Sequence, residues 1–314
     1  MKTIILTAIG GDIGQGVASI IREHFPDWRI LGADMGDRHG GGLVVDKLFK
    51  APAARDPAYL AWLSTTLASE KVDFCLPLSE AELDFFTANR LDAVDGVPLI
   101  APGFKAVEVG GDKLETSRFI ASLGLPGPWT ATPEEMGGQY RLPAIYKPRR
   151  GAGSKAVFIC NTAEEASFYS RYYPGGVFQE VLMPAEREVT CAVYRTREGK
   201  TGVLQLLRTL VGGFTGWAQV IDDPAIADQC RHIAEALDLR GSINVQLRLT
   251  ESGPRIFEIN ARFSSTAVLR DKMGFKDVVW TLQEQLGMPV TLTAPPVGVT
   301  GVRVQGAAIL HASE

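Results

Sequence analysis

Along the first hundred residues, continuous apolar runs alternate with amphipathic stretches. The runs at 3–9, 28–33, 72–78 and 97–101 are rich in isoleucine, valine and leucine, the pattern of strands buried on both faces. Helical periodicity fits 15–24, 56–70 and 80–90 between them. The second of these helices opens with Asp56-Pro57, an N-cap followed by proline at the first helical position. Alternation of this kind predicts a parallel, doubly wound sheet.

The pattern changes after the connector Ala101-Pro102-Gly103. Asp112 reads as an N-cap with Glu115 as its capping-box partner, on a helix that stops at Gly124, before Pro126. Short strands then dominate, at 142–149, 155–160, 177–183, 187–195 and 201–211, with one helix over 163–173. A helix at 223–238, a hairpin at 242–260, a helix at 276–286 and an edge strand within 291–310 follow. The divisions fall at 1–101 (Rossmann-like parallel sheet), 102–182 (small α+β section) and 183–314 (mixed sheet carrying the hairpin).

With 314 residues, two or three domains are expected. A net charge of −4 provides no overall basic field to attract nucleic acid or an anionic membrane. No run reaches the roughly 18 apolar residues of a membrane span, and the glycines after residue 9 come too early for a signal peptide. Cys75, Cys160, Cys191 and Cys230 are scattered without a CxxC pair and read as reduced thiols, so a cytoplasmic location is expected.

Candidate chemistry begins with Gly10-Gly11-Asp12-Ile13-Gly14-Gln15-Gly16, which follows the first strand and opens a helix, with Asp34 ending the second strand. That is close to a dinucleotide fingerprint, in which glycines let phosphate approach a helix N-terminus and the acid binds a ribose. The same residues also fit two plainer roles. The glycines could simply make a tight strand-to-helix turn, or Gly11 and its neighbours could bind another anionic or polar substrate. Further on, Lys147 sits near the end of a strand, ahead of Arg149-Arg150-Gly151-Ala152-Gly153-Ser154. A lysine beside free backbone N–H groups suits polyphosphate; a solvent-facing hairpin is the alternative. Glu180 through Leu182 could form a hinge against adenine, and Glu188 could reach ribose hydroxyls; otherwise both acids are surface carboxylates.

The most specific stretch is Asn244-Val245-Gln246 followed by Arg255-Ile256-Phe257-Glu258-Ile259-Asn260-Ala261-Arg262. Glu258 and Asn260 are two apart, so a strand places them on one face. Gln246 joins them if it pairs with residue 258 or 260 and points away if it pairs with 259. An odd-numbered loop over 250–254, with Gly253 left-handed, gives the favourable register. Three such oxygen-bearing side chains suit magnesium against nucleotide phosphates, and Arg262 offers a fork for a transferred phosphoryl group. The alternative is a buried, hydrogen-bonded polar cluster.

Taken in order, Asp112-Lys113, Tyr146-Lys147-Pro148 with its glycine loop, Gln179-Glu180, Glu188, Asn244-Val245-Gln246 and Glu258-Ile259-Asn260-Ala261-Arg262 resemble an ATP-grasp enzyme across essentially the whole chain. The set is most similar to the ATP-binding half of the carbamoyl phosphate synthase large-chain branch and its short, free-standing relatives. The resemblance implies an ATP-grasp fold with a pre-ATP-grasp N-terminal domain, and makes 102–182 its lid. It implies that Lys113 and Lys147 contact ATP phosphates, while Gly151, Gly153 and Ser154 close over them. Glu180 and the backbone of Val181 and Leu182 would hold adenine, and Glu188 the ribose. Gln246, Glu258 and Asn260 would ligate Mg²⁺ (or Mn²⁺), and Arg262 would stabilise an acyl phosphate.

There are two departures, of which the first should matter little. Ala261 stands where the family usually has proline, and Phe214 replaces a histidine that carbamoyl phosphate synthases use on carboxyphosphate. Phe214 puts bicarbonate as the substrate in doubt, and with neither the second ATP half nor a glutaminase in this sequence full carbamoyl phosphate synthesis is not expected. The expected activity is carbon–nitrogen ligation of a small-molecule carboxylate and an amine, with Arg208 as a candidate for the carboxylate and Glu80 for the amine. A homodimer is compatible with this. A nicotinamide-dependent Rossmann oxidoreductase and a non-catalytic ATP sensor are the alternatives.

Overall fold

The computed structural model describes residues 1–151, 156–304 and 306–309. Its first sheet is built from β1 (Thr3–Thr7), β2 (Arg29–Asp34), β3 (Lys47–Lys50) and β4 (Phe74–Leu76), with helices α1 (Asp12–His24), α2 (Tyr59–Glu70) and α3 (Glu80–Ala88) between strands. The order is β3-β2-β1-β4 and every pairing is parallel, so the doubly wound expectation holds. Ile4, Leu6 and Ile30 pack toward α1, while Ile5, Leu31 and Cys75 pack toward α2. That is why these strands read as unbroken apolar runs. The exposed edge strand β3 carries too little apolar sequence to be noticed. The helix expected from 56 begins at Tyr59 instead, with the Asp56 carboxylate accepting from the Ala58 N–H (2.8 Å) in the turn before it.

A two-residue hairpin, β5 (Ala93–Val94) and β6 (Val97–Pro98), leads to α4 (Phe104–Gly110) and α5 (Lys113–Ser122). Asp112 caps α5 by accepting from the Leu114 N–H at 2.9 Å. The small sheet is antiparallel, in the order β7-β10-β8-β9, from β7 (Thr130–Ala131), β8 (Ala144–Pro148), β9 (Phe158–Cys160) and β10 (Gly176–Glu180). The short α6 (Pro133–Met136) and α7 (Ala163–Tyr172) supply Met136 and Ala166 to its core beside Tyr146 and Phe178. Period-two alternation then turns Ile145, Lys147 and Gln179 to the other face.

The large sheet has the order β15-β14-β11-β12-β13-β16 and is antiparallel throughout. Its strands are β11 (Glu188–Arg195), β12 (Thr201–Val211), β13 (Phe214–Ile221), β14 (Gly241–Thr250), β15 (Gly253–Asn260) and β16 (Thr300–Val302). Helix α8 (Pro224–Ala236) precedes β14, and α9 (Ala267–Met273) and α10 (Asp277–Gln285) follow β15. One face is apolar along its length: Val189, Cys191, Ile243, Val245, Leu247 and Ile259 pack on α8 and on Ala106, Val107 and Ile120 of α4 and α5. Residues 104–122, grouped by sequence with the lid, thus bury their apolar side under the large sheet. The other face is divided. Ala192, Tyr194, Leu204 and Leu206 pack on Phe275 and Trp280 at one end, and polar side chains take over at the other.

The joint between α9 and α10 is pinned by a fully buried ion pair. Arg270 donates from Nε to Asp277 Oδ1 (2.9 Å), and Ser242 Oγ donates to Oδ2 (2.6 Å); the two charged side chains are 0% and 1% exposed. Replacing Asp277 with alanine strands a buried guanidinium. Equilibrium urea unfolding should show a loss of about 3–5 kcal/mol.

Candidate functional site

The hairpin of β14 and β15 is closed by two residues, Glu251-Ser252, with Thr250 paired to Gly253 and Gly253 at φ +101°. This corrects the expectation of an odd-numbered loop. A two-residue loop followed by a regular ladder would set Gln246 opposite Phe257 and turn Glu258 away. A β-bulge prevents that. Leu247 pairs with Ile256, but Gln246 pairs with Glu258, so Phe257 is the extra residue. Beyond the bulge Val245 pairs with Ile259 and Asn244 with Asn260. Gln246, Glu258 and Asn260 therefore share one face, as one of the two sequence registers required.

These three side chains line a cavity of about 630 Å³ between the small and large sheets, a size ordinary for a cofactor site. Among the described residues none of the three has a side-chain hydrogen bond or ion pair, although Asn260 is only 8% exposed. Oxygens left unpaired at such a place disfavour a self-satisfied polar cluster and fit a cation with its oxygen-rich ligand. Asn244, paired with Asn260 on the same face and 1% exposed, accepts from Thr190 Oγ1 (2.9 Å), and its Nδ2 has no partner among the described residues. A second grouping of potential metal ligands, Glu23, His24 and Asp271, lies elsewhere. There the Lys276 ammonium already sits 3.0 Å from Asp271 Oδ2, which leaves a metal cation repelled.

From the opposite wall, Lys147 enters on β8. It is 7% exposed, and burial brings its ammonium down to about 8, with nearby Lys113 acting in the same direction and Glu258 opposing. Lys113, at the start of α5, donates from Nζ to the Gly151 carbonyl (2.8 Å). Gly151 lines the cavity with Lys113 and Lys147; Gly153 and Ser154 lie outside the described residues. The two arginines before the loop differ. Arg149 is held bidentate by Asp112 (3.1 and 2.7 Å), whereas Arg150 lines the cavity and pairs with Asp84 at 3.1 Å.

Both acids given nucleotide roles have protein partners. Arg255 grips the Glu180 carboxylate through two 2.7 Å bonds and holds it below the usual carboxylate range. Glu180 and Leu182 still line the cavity, with Val181 between them in the chain, so backbone groups are what this segment can offer a base. Glu188 stands between two guanidiniums across three strands. Arg208 reaches Oε1 from Nε (3.0 Å) and Nη2 (2.6 Å), and Arg248 reaches Oε2. Arg208, 9% exposed, is thus an internal ion-pair partner facing the cavity. The sequence pattern did not single out Arg248, which also donates to the Leu182 carbonyl (3.0 Å) and lies 5.8 Å from the Phe257 ring. Alternation alone could have found it, since it follows Gln246 by two.

Arg262 leaves β15 into the cavity and donates from Nη2 to Glu80 Oε1 (2.9 Å) at the start of α3. Glu80 is therefore the anchor of that arginine. At the glycine loop, Asp12 and Ile13 line the cavity, whereas Gly11 is the exposed N-cap of α1. Gly14 packs so tightly on the strand that a Cβ would lie 2.6 Å from the Ala8 carbonyl. Over Gly10 the space is filled: a Cβ would meet the His39 ring at 2.7 Å, and Asp34 accepts from the Gly10 N–H (2.8 Å). The fingerprint acid thus serves its own turn. These glycines build a close strand–helix junction, with Gly10 covered by His39 and Gly11 exposed.

Comparison with known proteins agrees with this geometry. Residues 180–308 match the family described as ATP-grasp in the biosynthetic pathway with Ter operon. D-alanine–D-alanine ligase from Rhodococcus opacus is 31% identical over 218 residues, 58% of this chain and 58% of that protein. The ligase of the same name from Mycobacterium bovis is 27% identical over 234 residues, covering 63% of this chain and 62% of its own length. The matches thus span less than two thirds of these relatives. Among solved structures, N5-carboxyaminoimidazole ribonucleotide synthetase from Thermus thermophilus superposes with a TM-score of 0.72 at 22% identity, covering 93% of this chain and 80% of that one. The N5-carboxyaminoimidazole synthetase from Staphylococcus aureus complexed with ADP gives 0.77 at 15% identity, with 94% and 80% covered. L-amino acid ligase from Bacillus licheniformis gives 0.70 at 18%, with 91% and 74% covered. The matched segment contains the bulged hairpin, and the superpositions extend the shared fold to the N-terminal sheet. The chain has an ATP-grasp fold, and its residues 180–308 match an ATP-grasp family.

Proposed function

We propose that this chain is an ATP- and magnesium-dependent ligase that activates a small-molecule carboxylate as an acyl phosphate for attack by an amine. The observation that carries this is the bulge-set face of Gln246, Glu258 and Asn260, with unpaired oxygens opposite Lys147 across one cavity. The D-alanine–D-alanine ligases and the L-amino acid ligase support the reaction class by their names. The parts 1–101 and 183–314 act as substrate domain and nucleotide-binding sheet, and the small sheet within 102–182 acts as the lid.

In this mechanism Glu258, Asn260 and Gln246 would hold Mg²⁺, with Mn²⁺ as a substitute, and a metal bound there would supply positive charge against the phosphates. Lys147 and Lys113 meet the phosphates, and the Gly151 loop with Gly153 and Ser154 covers them. The backbone of Glu180, Val181 and Leu182 lies along the base. Glu188 is oriented toward the ribose by Arg208 and Arg248. Arg262, steadied by Glu80, faces the transferred group, where a fixed guanidinium stabilises charge without reorganising. No protein nucleophile is required, because the substrate carboxylate attacks the terminal phosphorus and the amine then attacks the acyl carbon. A reducing compartment such as the cytoplasm suits the four buried, unpaired cysteines.

An ADP-release screen over carboxylates, amino acids included, each paired with amines, tests this directly. ADP should appear only when carboxylate, amine and magnesium are all present. ATP binding with no ADP from any pair would instead favour a nucleotide sensor.

A further inference from the structure

Strand β16 brings Arg303 back to the cavity from the end of the described chain. Its backbone N–H donates to the Gly216 carbonyl at 2.9 Å. Its guanidinium spreads over three segments remote from one another in sequence. Nε donates to the Thr215 carbonyl (3.3 Å), Nη2 to the Ser265 carbonyl, and Nη1 to Asp12 Oδ2 (3.5 Å). The guanidinium carbon also lies 5.4 Å from the centre of the Phe214 ring, within cation–π range. Asp12, Phe214 and Ser265 all line the cavity, while Arg303 stands behind them. One side chain thus gathers three pieces of the wall.

Two of those pieces, Phe214 and Asp12, stand at exposed ends of their elements. Phe214 follows Gly212-Gly213, both at positive φ, at the tip of the β12–β13 hairpin, and remains 45% exposed. Asp12 starts a helix and is a third exposed, and its contact with Arg303 is long. Arg303 itself is placed firmly: a Cβ on Gly301 would lie 2.4 Å from Leu269, so β16 lies close against α9.

We propose that Arg303 is a positioning residue for the second-substrate end of the cavity, holding Phe214 and Asp12 as a wall that admits the amine and keeps water from the acyl phosphate. This rests on the ligase reading above. Amine attack forms a carbon–nitrogen bond, breaks the acyl carbon–oxygen bond, and releases phosphate and a proton. Water at the same carbon returns the carboxylate and phosphate with no amide. A loosened wall therefore shows as ATP consumed without product.

The test uses the full chain with the carboxylate–amine pair found by the screen, measuring ADP and amide together. For Arg303→Ala, the ATP KM should stay within about twofold, while the amine KM rises about tenfold and ADP released per amide climbs several-fold. Arg303→Lys should not restore coupling, because one ammonium cannot serve three separated acceptors. Unchanged coupling in Arg303→Ala, or full rescue by lysine, overturns the proposal. Should both variants fail to fold by circular dichroism, Phe214→Ala at the exposed tip must show the same uncoupling, and normal coupling there overturns it. If the unmodified chain releases no ADP with any pair, the ligase reading falls and takes this proposal with it. A coupled parent with coupled variants sinks the positioning role alone.

Discussion

Glu258→Ala is expected to abolish magnesium-dependent ATP turnover while the protein stays folded. Glu258 is the single carboxylate among the three oxygen-bearing side chains on the hairpin face, and hard cations need anionic oxygen more than amide oxygen. Loss of one transition-state stabilising group in a water-poor site typically costs about 10²–10³ in rate, and loss of the charged metal ligand should reach at least that. Folding should be spared because Glu258 has no side-chain hydrogen bond or ion pair among the described residues. The measurement is ADP release against magnesium concentration, with urea unfolding as the control. Full activity at ordinary magnesium would remove Glu258 from the metal site; a collapsed unfolding midpoint would show a structural role instead.

Lys147→Ala carries the second large effect. The residue sits at the phosphate end of the cavity, 7% exposed and without a carboxylate ion pair among the described residues, so its charge awaits an anion. Titration calorimetry should show ATP affinity falling by about tenfold or more, equivalent to at least 1.4 kcal/mol. Turnover should fall further, because charge at the moving phosphoryl group is also lost. Unchanged affinity removes Lys147 from the site. The position predicts a pH effect as well. Burial brings this lysine to about 8 from the ordinary lysine range near 10.5, so its charge disappears as pH rises through 8. The kcat/KM for ATP should therefore decline on the alkaline side of 8, and the variant should lose that limb. Stability responds in the opposite sense. Between pH 8 and 10.5 the unfolded lysine binds more proton than the folded one, so this group favours folding increasingly as pH rises. An alkaline decline in the parent is thus not explained by unfolding linked to Lys147.

The two effects are separable. Glu258 and Lys147 come from different sheets and meet only across the cavity, where each carries a charge opposite to the other's. A double variant tests whether they act on one bound nucleotide: additive losses would argue against a shared ligand, since groups acting as a unit show strong non-additivity.

Much of this protein is legible one residue at a time. The unbroken apolar runs of β1, β2 and β4 announce a sheet covered on both faces, because only such a strand needs no polar side. Lys147 beside Tyr146, and Gln246 between Val245 and Leu247, announce strands with one face in a core and one in a cleft. What escaped were short elements whose partners supply the burial: edge strand β3, the β13 strand opposite β12, and helices α4 and α9. Partnership between charges was equally invisible. Glu180 with Arg255, Glu188 with Arg208 and Arg248, and Arg262 with Glu80 are separated by 20 to 182 residues, and each carboxylate could have been free as far as local pattern reveals.

The hairpin separates the two kinds of information most sharply. Local sequence determined that Glu258 and Asn260 share a face, since a strand has a period of two. Whether Gln246 joins them depended on one extra residue, Phe257, pushed out of the ladder, and composition marks no position for a bulge. The same holds at the glycine loop, where sequence determined a tight turn onto α1. Only the tertiary structure brings His39, from a segment beyond β2, over Gly10. Periodicity is a property of the chain, readable wherever backbone geometry repeats; register and occupancy belong to surfaces in contact, and they exist only once distant segments have met.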